Sequence, residues 1–307
     1  MSVLDEKRFH DEKAAYEWVE AHVWPDGRIC PHCGTVGDSA PLQGKSTRIG
    51  VYKCYSCRKP FTVKVGTIFE ASHIKLHVWL QAMFLLCGSK KGMSANQLGR
   101  TLGVTLKSAW FLAHRIRLAM ADDGSSGPLG GDGKVIEADE TYMGPREYRF
   151  DGDRGEWVGI QGTGGKVRIL SLVERGGRVR SIPASGLSPA QVNMHILKNT
   201  SLKSRLHTDE AATLKRVGKQ FAKHETVNHS KEEYARGDVT TNTVEGYFSV
   251  FKRGMRGTYQ QCGTNHLHRY LSEFDFRYSN RAALDITDVA RAEKLMQGVI
   301  GRRLTYR

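Results

Sequence analysis

The 307-residue sequence has no apolar run approaching the ~20 residues that a membrane-spanning helix needs, so no helical span is expected. It has no basic, apolar leader: the first residues, MSVLDEKRFH, carry acids where a signal or transit peptide would not, and a reducing, cytoplasmic setting is expected. It has no internal repeat, and its one low-complexity tract is the stretch ADDGSSGPLGGDGK near residue 130. Acidic residues are also short, 32 against 46 Lys plus Arg. The net charge of +14, spread along the chain rather than confined to a tail, points to a polyanionic partner such as DNA or RNA.

Cysteine is scarce as well, and four of the six residues form one pattern. Cys30 and Cys33 stand in a CxxC pair, twenty residues intervene, and Cys54 and Cys57 form a second CxxC pair. Two such knuckles converge four thiolates on one tetrahedral Zn²⁺, which supplies folding free energy that a unit this small cannot draw from an apolar core. Two disulfides are the alternative, with no oxidising-compartment signature to support them. Tyr52 and Phe61 are candidates to cover the metal. Cys87 and Cys262, left over, read as buried small apolar residues.

Periodicity and turn residues divide the chain into segments. Residues 1–29 hold an amphipathic helix and a lead-in, 30–66 the zinc ribbon, 67–122 a helical domain, 123–134 a Gly/Ser/Asp linker, 135–281 a catalytic domain, and 282–307 a C-terminal tail. Within the helical domain, Ser94 caps one helix, Gly103 stops it, and a second runs from about Thr105 to Met120. This is the pattern of a helix-turn-helix whose second helix, with Lys107, His114, Arg115 and Arg117, would enter a DNA groove. A helical hairpin that only packs is the alternative.

Beyond the linker, strand-like runs at 134–141, 167–174, 179–184, 205–208 and 225–229 alternate with helices at 189–199, 211–223 and 242–252. The segment between the first two strands reads as an exposed insertion or wide hairpin. The order describes a mixed α/β sheet with flanking helices. Three acidic positions stand out: Asp139 in the strand VIEADET, Asp209 at the end of the strand RLHT, and Glu245 at the start of the 242–252 helix. Asn242 and Lys252 share that helix face with Glu245. Two Asp on neighbouring strands and a third ligand on a helix can hold two Mg²⁺ or Mn²⁺ ions for in-line phosphoryl transfer. His207 reads as a strand residue, and His229 falls near the same region.

The runs Cys30-Pro31-His32-Cys33-Gly34, Lys53-Cys54-Tyr55-Ser56-Cys57, Ala138-Asp139-Glu140-Thr141-Tyr142-Met143-Gly144 and TTNTVEGYFSVFKRGMRGTYQQ at 240–261 resemble the zinc-ribbon insertion-sequence transposases of bacteria. The likeness spans about Trp18 to Arg281. It implies a ribonuclease-H-like catalytic domain behind a zinc ribbon and a helix-turn-helix-like domain, with an Asp-Asp-Glu or Asp-Asp-Asn triad followed by Lys. By position, Asp139 and Asp209 match the two aspartates and Lys252 the lysine. Glu245, with 35 residues between it and Asp209, and Asn242 both fit the third place, and Glu245 is favoured because an anionic oxygen binds Mg²⁺ more strongly.

The implied activity is metal-dependent hydrolysis at element ends and 3′-hydroxyl strand transfer into target DNA. The implied cofactors are a structural Zn²⁺ and two catalytic Mg²⁺ or Mn²⁺ ions, and synapsis of two double-stranded ends implies at least a dimer. On or after the last of these helices, Lys252, Arg253 and Arg256 would meet phosphate, and Tyr247 and Tyr259 would stack on bases. A catalytically inactive DNA-binding regulator and a nuclease that cuts without joining are the alternative functions.

Overall fold

A computed structural model describes residues 2–304 except 145–147, 160–162, 164, 229–232 and 234; His229 lies outside the described residues. The chain forms two compact units, residues 1–121 with 281–307, and residues 122–280.

The first unit begins with α1 (Glu12–Val23), capped by the Asp11 carboxylate on Ala14 N, and buries Ala15 and Val19. Short antiparallel strands follow: β1 (Ser39–Pro41), β2 (Tyr52–Cys54) and β3 (Pro60–Phe61), paired in that order with Tyr52 opposite Phe61. Then come α2 (Leu76–Gly88), α3 (Ala95–Leu102) and α4 (Leu106–Ala119). Ser94 caps α3 through Gln97 N, and Gly103, at φ 66°, ends it in the left-handed conformation that glycine adopts without a Cβ clash. Thr105 caps α4.

The second unit is built on a five-stranded mixed sheet. Its strands are β4 (Val135–Met143), β7 (Val167–Glu174), β8 (Val179–Pro183), β9 (Arg205–Thr208) and β10 (Lys223–Thr226), in the order β10-β9-β4-β7-β8. β4, β7 and β8 run antiparallel in turn, while β9 and β10 lie parallel to β4. Between β4 and β7 the hairpin of β5 (Tyr148–Asp151) and β6 (Glu156–Gly159) forms the expected insertion. The remaining elements are α5 (Pro189–Asn199), α6 (Ala212–Gly218), the small ladder of β11 (Ala235–Arg236) and β12 (Val239–Thr240), α7 (Asn242–Gly254) and α8 (Leu267–Ser279). The π turn Met255–Tyr259 extends α7.

Alternation along β4 divides the core. Ile136 and Ala138 join Leu206, Val192, Ile196, Leu214 and Val217, the side occupied by α5 and α6. On the other side, Ile169, Val173 and Val179 meet Val244, Tyr247, Phe248 and Phe251 of α7 and Leu271 and Phe274 of α8. A central sheet with helices on both faces is the expected ribonuclease-H-like, mixed α/β architecture.

Three details differ from the sequence expectation. The segment read as a linker is strapped to the second unit: Leu129 is fully buried and bonds Asn199 O and Ser201 N, and Arg178 donates to the carbonyls of Ser126 and Pro128. The segment read as a tail folds into α9 (Asp288–Gln297), which packs on α1, α2 and α4 within the first unit. The helix expected over 211–223 ends at Gly218, where the His224 ring fills the space a Cβ would need.

Candidate active site and metal centre

The four cysteines of the ribbon converge. Cys30 Sγ lies 3.7 Å from Cys57 Sγ and Cys33 Sγ 3.6 Å from Cys54 Sγ, with all four sulfurs within 4.8 Å of one another. A tetrahedron with Zn–S bonds of about 2.3 Å has S–S edges of about 3.8 Å. The separations fit that polyhedron and are far beyond a disulfide bond of about 2 Å. Gly34, at φ 76°, makes the first knuckle turn, and Trp24, Tyr52 and Phe61 pack over the thiols. The four-cysteine cluster is consistent with a structural zinc in the ribbon.

The two aspartates follow a paired position of the parallel strands β4 and β9. Ala138 of β4 pairs with Thr208, the last residue of β9, so Asp139 follows that pair within β4 and Asp209 follows it just beyond the end of β9. Each carboxylate is held locally: Asp139 Oδ1 accepts from Glu140 N at 2.7 Å, and Asp209 Oδ1 from Ala211 N at 3.0 Å. Glu140 is pushed above the usual carboxylate range by burial and by the nearby Asp209, against the pull of Arg168.

α7 lies on the Asp139 side of β4. Glu245 is exposed near its start and accepts from Thr241 Oγ1 at 2.7 Å; Asn242 is exposed one turn earlier. Lys252 is half-buried, and burial, Arg256 and Lys166 depress its ammonium while Asp139 favours it, so the lysine belongs to the surroundings of the Asp139 carboxylate. Among the described residues, only the cysteines bring three or more metal-ligating groups within 4.8 Å; the carboxylates of Asp139, Asp209 and Glu245 do not converge as a trio.

Several residues expected at a DNA surface lie elsewhere. His114, Arg115 and Arg117 are 0%, 4% and 2% exposed, because α4 is enclosed on most sides, and Arg115 donates to the carbonyls of Ile68 and Glu70 at 2.7 and 2.6 Å. These three side chains are buried within the first unit rather than presented to a groove; only Lys107 of that set is exposed. Tyr247 is 2% exposed and bonds Asp275, and Tyr259 packs on Tyr270 and Phe274 and donates to Glu273. Neither ring is presented for stacking. Arg253 and Arg256 are exposed, as expected. His207 is a buried strand residue, and burial, with Arg175 and Arg205 nearby, pushes its imidazole pKa down.

The residue that sequence reasoning overlooked is Glu137. It is fully buried, two positions before Asp139 on the same face of β4. Its signal was legible as an acid inside an apolar strand, in i, i+2 spacing with Asp139.

Comparison with known proteins places these features in context. Residues 128–279 match the ISXO2-like transposase domain, and residues 10–60 match the transposase zinc-ribbon domain. An uncharacterized protein in transposable element ISH50 of Halobacterium salinarum is 26% identical over 281 residues, 88% of this chain and 92% of that protein. The crystal structure of a pre-cleavage Mos1 transpososome aligns over 67% of this chain and 77% of the other with 10% identity and a TM-score of 0.19, a likeness that carries no argument.

Proposed function

Because the chain belongs to the insertion-sequence transposases that join a zinc ribbon to an ISXO2-like catalytic domain, we propose that it cuts and joins DNA at the carboxylates of the second unit. The observation that supports this reading is the pairing of Ala138 with Thr208 on parallel strands, each followed directly by an aspartate, Asp139 and Asp209, inside the matched transposase domain. Hard carboxylate oxygens in that arrangement fit Mg²⁺ or Mn²⁺ rather than zinc. Asp139 and Asp209 would hold the ions, with Glu245 as the third ligand and Asn242 as the alternative at that position. When bound, such a pair of ions activates an attacking oxygen and stabilises a departing one.

The chemistry is two phosphoryl transfers. In the first, a water oxygen bonds to phosphorus at the element end, the bond to the 3′-oxygen breaks, and a free 3′-hydroxyl is left. In the second, that hydroxyl bonds to a target phosphorus and the target's own 3′-oxygen departs. Lys252, which feels the charge of Asp139, would supply positive charge where a phosphate enters, with Arg253 and Arg256 on the duplex backbone. Lys107 and the ribbon contribute DNA contacts from the first unit, and two copies act together on two ends.

The test is strand transfer in vitro. Purified protein, Mg²⁺, a duplex carrying the element's terminal sequence and a target plasmid should yield joined product, and Asp139→Asn should yield none while still binding the end. Cleavage without joining would indicate a nuclease, and binding with no metal-dependent product a regulator.

A further inference from the structure

Glu137 is an acid with no exposed surface, and each of its oxygens is fully occupied. Oε1 accepts from Arg175 Nε at 3.0 Å, Arg175 Nη2 at 2.7 Å and Thr243 Oγ1 at 2.8 Å. Oε2 accepts from the backbone amides of Thr243 at 2.7 Å and Val244 at 3.0 Å. Those amides belong to the first turn of α7, whose N–H groups have no partner within the helix. The residue before the helix, Thr241, makes no side-chain cap. Glu137 therefore caps α7 from another element, 106 residues away in sequence, and its charge suits the positive end of the helix dipole.

Arg175 completes the clamp. Besides holding Glu137, it donates through Nη1 to Asp238 O at 3.0 Å and through Nη2 to Thr240 Oγ1 at 3.3 Å, the turn and strand that lead directly into α7. The guanidinium thus fixes the approach of the chain and the carboxylate fixes its first turn. Both act about 7 Å along β4 from Asp139, two residues at the strand rise. Asn242 and Glu245 lie within one turn of the capped amides.

We propose that Glu137 and Arg175 are a positioning pair for the catalytic centre: they set the distance between the ligand position on α7 and the Asp139 carboxylate. The claim rests on the reading of Asp139, Asp209 and the α7 residue as the metal-holding set. A buried cap of this kind would otherwise be purely structural, and the two roles differ in what they predict. A structural role predicts that weakening the cap lowers stability and all functions together. A positioning role predicts that metal affinity falls while the folded protein still binds DNA.

The experiment titrates Mn²⁺ into full-length protein bound to a duplex of the element's terminal sequence, with free Mn²⁺ read by electron paramagnetic resonance and duplex affinity read separately by anisotropy. Glu137→Gln keeps the volume but sets an amide N–H against the donors of α7 or Arg175. Thr243→Val removes one hydroxyl bond and leaves both backbone amides capped, so it serves if the first variant does not fold; Thr243→Ser restores the hydroxyl. We expect Glu137→Gln to weaken Mn²⁺ binding by about 10-fold, the scale of lost outer-shell support, with duplex affinity unchanged. Thr243→Val should move in the same direction by less, and Thr243→Ser should match the wild type. Unchanged Mn²⁺ affinity in Glu137→Gln and Thr243→Val, or losses matched by equal losses of duplex binding, would overturn the proposal. Asp139→Asn separates the two levels. If it loses Mn²⁺ while the Glu137 and Thr243 variants do not, only the positioning claim fails; if it binds Mn²⁺ as the wild type does, the catalytic reading itself fails.

Discussion

The hydroxyl of Tyr247 donates to Oδ1 of Asp275 at 2.5 Å, joining α7 to α8 inside the core of the second unit. Ser181 adds two more bonds to the same carboxylate, from its amide at 2.7 Å and its hydroxyl at 2.8 Å, so β8 is tied into the pair. Tyr247 is a fastener between the helix of the candidate site and its support.

Tyr247→Phe should therefore lower stability by about 1–2 kcal/mol, the cost of leaving a buried acceptor one bond short. End-duplex affinity, measured at a temperature where both proteins are folded, should stay within a factor of two. A tyrosine that stacked on bases would instead leave the melting temperature unchanged, so the loss of stability is what separates the two roles.

Arg115 and Lys107 make a matched contrast on α4. Arg115→Met should destabilise the first unit by about 3 kcal/mol, since carbonyls of Ile68 and Glu70 lose their donor in a buried setting. Lys107→Ala should leave the melting temperature unchanged, because that side chain is exposed. Its effect should instead be a salt dependence of DNA binding shallower by about one ion.

Most elements of the fold were readable because local rules agreed there. Ser94 and Gly103 bound α3, Pro189 opens α5, and alternation marks β4 and β7. The ribbon was readable because ligand spacing is a local property. What was not readable is which side of a charged helix faces inward. His114, Arg115 and Arg117 look like a surface stripe until distant parts of the chain close over α4, as where Arg115 donates to the carbonyls of Ile68 and Glu70, 47 and 45 residues away. The role of Glu137 was hidden for the same reason: its partners Arg175 and Thr243 lie 38 and 106 residues away.

The ribbon makes a direct prediction about metal content. Cys54 is fully buried and supplies one corner of the sulfur tetrahedron. Cys54→Ser should bring zinc, measured by atomic absorption, from one ion per chain to well below one, and protease cleavage should appear within the ribbon because so small a unit depends on its metal. Full zinc content in the folded variant would contradict the four-thiolate site.

Asp275 should impose a pH dependence. Burial pushes its carboxyl up to about 6, while the bonds from Tyr247 and Ser181 pull the other way. The ordinary value is 3.8, so the folded state binds the proton more tightly than the unfolded chain does. This contribution to stability is complete below about pH 4 and is lost as pH rises through about 6. Asp275→Asn has no such titration. Thermal midpoints recorded from pH 4 to 7 should show the wild type's margin over the variant shrinking across that window, and a margin that grows with pH would contradict the assigned direction.

Charge and helix geometry together favour Glu245 over Asn242 at the proposed third ligand position. Lys252 and Glu245 are seven residues apart, two turns, and so lie on one stripe of α7, whereas Asn242 is turned about 60° further round. Since Asp139 bears on Lys252, that stripe flanks the aspartate, and Glu245 also brings an anionic oxygen that Asn242 lacks. Glu245→Gln should then reduce Mg²⁺-supported cleavage by 100-fold or more, on the order expected for a lost electrostatic contact to the reacting groups. Asn242→Ala should cost about 10-fold or less if its amide only orients groups around the centre. Measuring both in Mg²⁺ and in Mn²⁺ sharpens the comparison, because the ligand variant should recover part of its activity with the more tightly binding ion. If Asn242→Ala proved the more damaging and Glu245→Gln nearly silent, the Thr241 hydrogen bond to Glu245 would be the whole of that residue's role, and the chain would use asparagine as its third ligand.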